Sequence, residues 1–184
     1  MFYYSSRNKS FLAGSLLLFL FFLYGHKPVS DFCYYLVDKY TEEAYGYYVR
    51  YAGAILAALF ALFIAWVLFL SQNKSIKLTV WAVSGILMAV LYNRLVVYSI
   101  EYIHFIQYVG LTYLLFYACN RKYPPAIILS LALGLLDEYI QTKGLAPINW
   151  RDVLLNAVGT AWGILLVMTM KDFLNYRQKR KYYH

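Results

Sequence analysis

PPAIILSLALGLLDEYIQ, residues 124–141, is an apolar segment interrupted near its end by two adjacent carboxylates, Asp137 and Glu138, with Gln141 one helical turn after Asp137. Pro124-Pro125 suits the first turn of a helix, where a missing N–H is no loss. The apolar stretch that follows is shorter than a full span and must borrow flanking residues to cross a membrane or else line protein. At 1.5 Å per residue Asp137 lies about 20 Å along it, still inside a hydrocarbon core about 30 Å thick. An ionised carboxylate at that depth costs about 2.5–3.5 kcal/mol even on a lenient insertion scale. Such acids persist where they face a polar cavity, pair with cations or do chemistry.

The rest of the chain repeats the apolar theme. Of its 184 residues, 62% are hydrophobic and 14% charged, and the mean hydropathy is +0.51. Apolar runs recur at Phe11–Tyr24, Tyr47–Leu70, Leu78–Leu91, Tyr102–Cys119, Pro124–Leu136 and Val153–Met170. The second and last approach or exceed the roughly 20 residues of a full span, and the others borrow flanking residues. The pattern predicts an all-α polytopic membrane protein, a helical bundle of about six transmembrane helices. Arg7 and Lys9 precede the first run as in a secretory signal, but Tyr24-Gly25-His26-Lys27 is no small-residue cleavage site. A retained helix is expected.

Basic residues orient the bundle. With both termini cytoplasmic, the inner side collects Arg7, Lys9, Lys74, Lys77, Arg121, Lys122, Lys171, Arg177, Lys179, Arg180 and Lys181. The outer side keeps Lys27, Lys39, Arg50, Arg94, Lys143 and Arg151. That bias satisfies the positive-inside rule. The net charge of +8 thus reads as topology plus a basic tail near anionic lipid. No basic run lies in a folded soluble module, so no nucleic-acid partner is expected. Many of the 21 tyrosines gather at predicted interfaces, as in an aromatic belt. The segment Asp31–Tyr48 is patterned as an amphipathic helix lying on the outer surface. Cys33 and Cys119 fall on opposite sides, too far apart for a disulfide.

This topology brings the unusual residues together. Glu101, His104, Tyr108 and Thr112 are spaced by three and four along the fourth span and share a stripe. Asp137, Glu138 and Gln141 end the fifth span, and Arg151, Asp152 and Asn156 open the sixth. Plain structural roles compete for several of them. Glu101 suits a helix dipole, and Asp152 follows Asn149 at a capping distance. Gly159 and Gly163 have the spacing of close helix packing. No cap or loop in the sequence accounts for the pair Asp137-Glu138.

Glu101-x-x-His104-Phe105-x-x-Tyr108, Asp137-Glu138-x-x-Gln141 and Arg151-Asp152-Val153-Leu154-Leu155-Asn156-x-x-Gly159-x-x-x-Gly163 together resemble the VanZ-like family of membrane proteins. The family takes its name from a protein linked to teicoplanin resistance. The resemblance covers roughly residues 78–170. Tyr102 stands where the family commonly has lysine, and Leu145-Ala146-Pro147-Ile148 lacks the usual arginine of the turn. The expected organisation is an N-terminal two-helix extension with an outer amphipathic loop (1–75), a VanZ-like core (76–170) and a basic cytoplasmic tail (171–184). The resemblance implies cell-envelope biology, with the polar site facing the extracytoplasmic side.

Three functions remain open on these residues. An enzyme would act on a lipid-linked phosphate or glycan, with Glu101, His104, Asp137, Glu138 and Asp152 as catalytic groups. Paired carboxylates can divide acid and base roles, His104 can shuttle protons, and Arg151 can clamp an anion. Tyr108, Gln141, Arg151 and Asn156 would bind substrate. A divalent-metal version would use Glu101, His104, Asp137 and Asp152, but their spacing is not diagnostic and metal-free chemistry is preferred. A binding protein would hold an envelope lipid or lipoglycopeptide without turnover. A proton-coupled transporter would use the acids as a relay, with less support because no inverted repeat is visible.

Overall fold

In the computed structural model of the chain, residues 6–70, 74–95, 102–142 and 147–182 are described. All regular secondary structure among them is α-helical. The helices are α1 (Ser6–Tyr40), α2 (Glu42–Phe69), α3 (Lys74–Leu95), α4 (Tyr102–Ala118), α5 (Tyr123–Gln141) and α6 (Trp150–Tyr182). Three stretches are long and apolar enough to cross a membrane: Ala44–Phe69, Tyr123–Gln141 and Trp150–Lys171. Leu59, Leu62, Trp66 and Phe69 of α2 are all exposed. Water would penalise such a face, whereas lipid tails accept it.

Two boundaries differ from the sequence reading. The segment Asp31–Tyr48 is not a separate surface helix. Its first part continues α1 through Pro28, and its second part opens α2. An interior proline loses its own N–H bond and crowds the carbonyl four residues back, yet α1 continues past Pro28 to Tyr40. The break falls instead at Thr41, whose φ of 69° is left-handed. Its hydroxyl then caps α2 by accepting from the Ala44 N–H at 3.4 Å. At the other end, the basic tail is helical as far as Tyr182 as part of α6.

The chain forms two compact units, one of Met1–Tyr34 with Ile100–Leu166, the other of Tyr35–Ser99 with Val167–His184. In the second, Ile64, Val67 and Leu68 are buried. There the Trp81 indole donates to Thr169 Oγ1 at 3.0 Å, and Trp66 lies 5.8 Å from the Phe173 ring. A buried indole N–H without that acceptor would carry a desolvation penalty.

The first unit holds the polar motifs. Its α4 buries Tyr108, Leu111, Leu115 and Phe116, and Phe11 of α1 stacks on Tyr117 at 5.0 Å. The turn to α5 is closed by Arg121 N–H donating to Phe116 O at 2.8 Å, with Asn120 left-handed at φ 56°. That is the six-to-one bond that ends many helices, and Pro124 follows in the first turn of α5. The buried residues of α5 are Ala126, Ser130, Gly134, Asp137 and Glu138. Spaced by three and four, they form one stripe that turns from small to acidic.

The glycines of α6 set its distance from α4. A Cβ on Gly159 would stand 2.5 Å from Phe105 O and 2.9 Å from Tyr108 Cβ. One on Gly163 would stand 2.7 Å from Thr112 Cβ and 2.8 Å from Val109 O. Backbone approaches this close are the use to which small-x-x-x-small spacing is put. Phe105 meets Trp162 edge-on at 5.2 Å on the same seam.

Candidate functional site

The start of α4, the end of α5 and the start of α6 meet around Asp137, which is 1% exposed. Gln141, one turn further along α5, donates Nε2–H to Asp137 Oδ1 at 3.0 Å. Tyr108 of α4 donates its hydroxyl to Oδ2 at 3.4 Å. His104, one turn earlier on α4, places Nδ1 3.9 Å from the same oxygen. That is inside ion-pair range and beyond hydrogen-bond length. Of the stripe expected on α4, His104 and Tyr108 therefore face the acid from one side, and Thr112 meets Ser130 instead.

Glu138 has a structural duty that the sequence did not disclose. Its Oε1 accepts the Asn149 backbone N–H at 3.1 Å, tying the residue before α6 to the end of α5. Asn149 then caps α6, its Oδ1 accepting from Arg151 N–H at 3.2 Å and its Nδ2 donating to Asp152 Oδ2 at 2.7 Å. In a usual capping box the third helical residue takes the N-cap N–H. Here Glu138 takes that proton, and Asp152 binds the cap's side chain instead. Glu138 Oε2 is buried with no hydrogen-bond partner.

Asn156, one turn beyond Asp152, is 2% exposed and donates Nδ2–H to Gly134 O at 3.4 Å. Gly134 makes the room, because a Cβ there would lie 3.2 Å from Asn156 Cβ and 3.4 Å from the Tyr108 ring. The amide oxygen of Asn156 is buried without a partner.

Deeper in the unit, three hydroxyls link the same helices. Thr160 donates to Asn156 O at 2.9 Å, and Ser130 lies 2.9 Å from Thr160 Oγ1 and 2.7 Å from Thr112 Oγ1. The commitment of Thr160's proton to a carbonyl orders the chain. Ser130 must donate to Thr160, and Thr112 to Ser130. A ladder ending on a backbone carbonyl is a packing clasp and has no onward proton acceptor.

Of the residues expected at the site, His104, Tyr108, Asp137, Glu138, Gln141, Asp152 and Asn156 come together. Arg151 does not: its side chain is exposed, and no ion pair joins it to these acids. Glu101 and Lys143 lie outside the described residues. Among the described residues, no group of three or more His, Cys, Asp or Glu side chains is placed to hold a metal ion. Ser130, Thr160 and the anchoring role of Asn149 were not anticipated. Ser130 lies seven residues before Asp137, and Thr160 lies four after Asn156, so both were legible as members of the polar stripes. No family model matches the chain, and no curated protein or solved structure matches it either.

Proposed function

We propose that the chain is a VanZ-like integral membrane protein of the bacterial cell envelope. It crosses the membrane about six times, with both termini cytoplasmic and the Asp137 cluster opening toward the outer leaflet. There it acts on a lipid-linked phosphate or glycan and contributes to glycopeptide resistance of the teicoplanin type. The observation that carries this reading is the arrival of His104, Tyr108 and Gln141 on one buried carboxylate, Asp137. Intramembrane ionisable groups are rare and costly, and a histidine beside a carboxylate is equipped to move a proton.

In this mechanism Asp137 orients the His104 imidazole, and His104 takes or returns a proton of a substrate hydroxyl. Gln141 and Tyr108 hold Asp137 in place. A phosphate on the substrate would lie away from the three carboxylates, whose like charge would repel it.

Binding without turnover is the second reading. It is favoured by Glu138 Oε1 and Asp152 Oδ2, both committed to holding Asn149 at the start of α6. Transport receives less support, since the hydroxyl ladder below the acids ends on a carbonyl.

The test is a resistance or envelope phenotype in cells carrying His104→Ala or Glu138→Gln. Both variants are expected to lose it at undiminished membrane expression, and retention in both would remove the site from the function. Conversion of a lipid-linked substrate by purified protein selects the enzyme, whereas binding without conversion selects the second reading. For orientation, cysteine labelling in a Cys-free background should find Thr142→Cys reachable from outside and Gln178→Cys only from inside.

A further inference from the structure

At the end of the first unit opposite Asp137, aromatic rings and a cation gather around Tyr117. Phe11 of α1 stacks on its ring at 5.0 Å, and Tyr113 and Phe116 meet it at 5.1 and 5.3 Å. The ring of Tyr123, the first residue of α5, lies 4.8 Å from Phe116. The Arg121 guanidinium carbon stands over Tyr117, 5.7 Å from its centroid. The turn between α4 and α5 is therefore a floor of packed rings with a cation laid on it.

Charge is segregated along this unit. α1 and α4 run antiparallel, since Phe11 meets Tyr117 while a Cβ on Gly110 would lie 3.6 Å from Leu18. Lys9, Arg121 and Lys122 thus share one end, and all three are exposed. Lys9 is two residues before Phe11 and on another face of α1, so it adds charge at that level. The described carboxylates of the unit stand far off. Asp137 is about 21 Å further along α5 than Tyr123, and Asp31 about 30 Å further along α1 than Phe11. Glu138 and Asp152 gather with Asp137. No carboxylate of the described residues pairs with Arg121. The dipole ends of α4 and α5 meet at the turn and offset each other, so side chains set its charge. Its backbone donors are spent, Arg121 N–H on Phe116 O at 2.8 Å and Lys122 N–H on Cys119 O at 3.1 Å. Whatever the turn recognises is read by side chains.

A guanidinium held on an aromatic ring keeps its N–H edge available, and that edge matches two phosphate oxygens at once. The helix Tyr123–Gln141 is long and apolar enough to cross a membrane, which sets the turn before it at the level of lipid headgroups. The rings favour a lipid over a soluble acidic partner. Tyrosine and phenylalanine at that level lie against acyl chains while the cation meets the phosphate.

We propose that the α4–α5 turn binds the phosphate of an anionic phospholipid, gripped by Arg121 on its Tyr117 support and flanked by Lys122. This lipid belongs to the leaflet opposite the one that the Asp137 cluster faces. The site is separate from that cluster and rests only on the reading of α5 as a membrane span.

Isothermal titration calorimetry on the purified full chain in non-ionic detergent tests this with three probes. These are short-chain phosphatidylglycerol, the phosphatidylcholine of identical chains, and glycerol phosphate, all at one low ionic strength because exposed charges are screened. A cation beside an anionic lipid is worth about a fivefold preference. Arg121 and Lys122 together should therefore make phosphatidylglycerol bind at least about tenfold more tightly than phosphatidylcholine. Arg121→Lys keeps the charge but loses the paired N–H edge, and should lose most of that preference. Tyr117→Leu keeps Arg121 but removes its support, and should weaken phosphatidylglycerol binding in the same direction.

Equal affinity of the wild-type protein for the two lipids, or binding of neither, overturns the inference without reliance on a variant. Arg121→Lys with the wild-type preference overturns it too, because charge alone would then be the whole effect. Glycerol phosphate bound as tightly as the lipid assigns the turn to a soluble phosphate and removes the headgroup. The titration involves neither Asp137 nor an envelope phenotype. Its failure leaves the proposed function standing, and an intact phenotype in His104→Ala and Glu138→Gln leaves the lipid site standing.

Discussion

Substituting Gly159 by alanine probes the seam on which the site is built. The added methyl would lie 2.5 Å from the Phe105 carbonyl oxygen and 2.9 Å from Tyr108 Cβ. Neither neighbour can move aside, because the first is backbone and the second is fixed to it. Overpacking of this kind costs about 1–3 kcal/mol, and a clash with a carbonyl belongs at the upper end. Alanine's better helix propensity returns about 1 kcal/mol, leaving a net loss of about 2 kcal/mol. Gly85→Ala is the matched control, since nothing lies within 4 Å of its would-be Cβ. There only the propensity term acts, and the protein should gain up to about 1 kcal/mol. Thermal unfolding in one detergent, followed by helical circular dichroism, compares the pair. Gly159→Ala should unfold several degrees below wild type and Gly85→Ala at or above it. Equal midpoints for the two variants would refute the close approach of α6 to α4.

Two further substitutions address the polar contacts. Ser130→Ala removes the middle of the hydroxyl ladder, stranding the Thr112 donor and depriving Thr160 of one bond. The expected loss is about 1–3 kcal/mol, larger than for Thr112→Val at the ladder's free end, and the same unfolding measurement ranks the two. Asn149→Ala deletes the cap's bonds to Arg151 N–H and Asp152 but retains its own backbone N–H for Glu138. It should cost about 0.5–2 kcal/mol and raise amide hydrogen exchange in the first turn of α6, leaving exchange at Gly134–Glu138 unchanged.

The sequence disclosed the helical class through apolar length, and the three polar motifs through their spacing. Gly159 and Gly163 were legible for the same reason, since only small residues at that interval allow backbones to meet. What it did not disclose depends on contacts between distant residues. Glu138 looked unexplained because its partner, the Asn149 N–H, lies 11 residues further along the chain, and any residue but proline could have supplied that N–H. Arg151 looked like an anion clamp from its position beside Asp152. The first residues of a helix point in several directions, and this one's side chain is exposed. The pattern of Asp31–Tyr48 suggested one separate helix, yet the chain breaks inside it at Thr41, where the left-handed backbone carries no strong sequence signature. The grouping of the start of α1 with α4 and α5, and of the end of α6 with α2 and α3, is likewise a property of packing that no local pattern encodes.

The central claim is that α4, α5 and the start of α6 assemble one polar site around Asp137. A double-mutant cycle between Tyr108→Phe and Asp137→Asn, read by unfolding free energy, tests it most directly. Direct contact predicts a coupling of about 0.5–3 kcal/mol, whereas residues that do not touch add to within about 0.3–0.5 kcal/mol. A coupling above that margin is the predicted result, and simple additivity of the two substitutions would contradict the account.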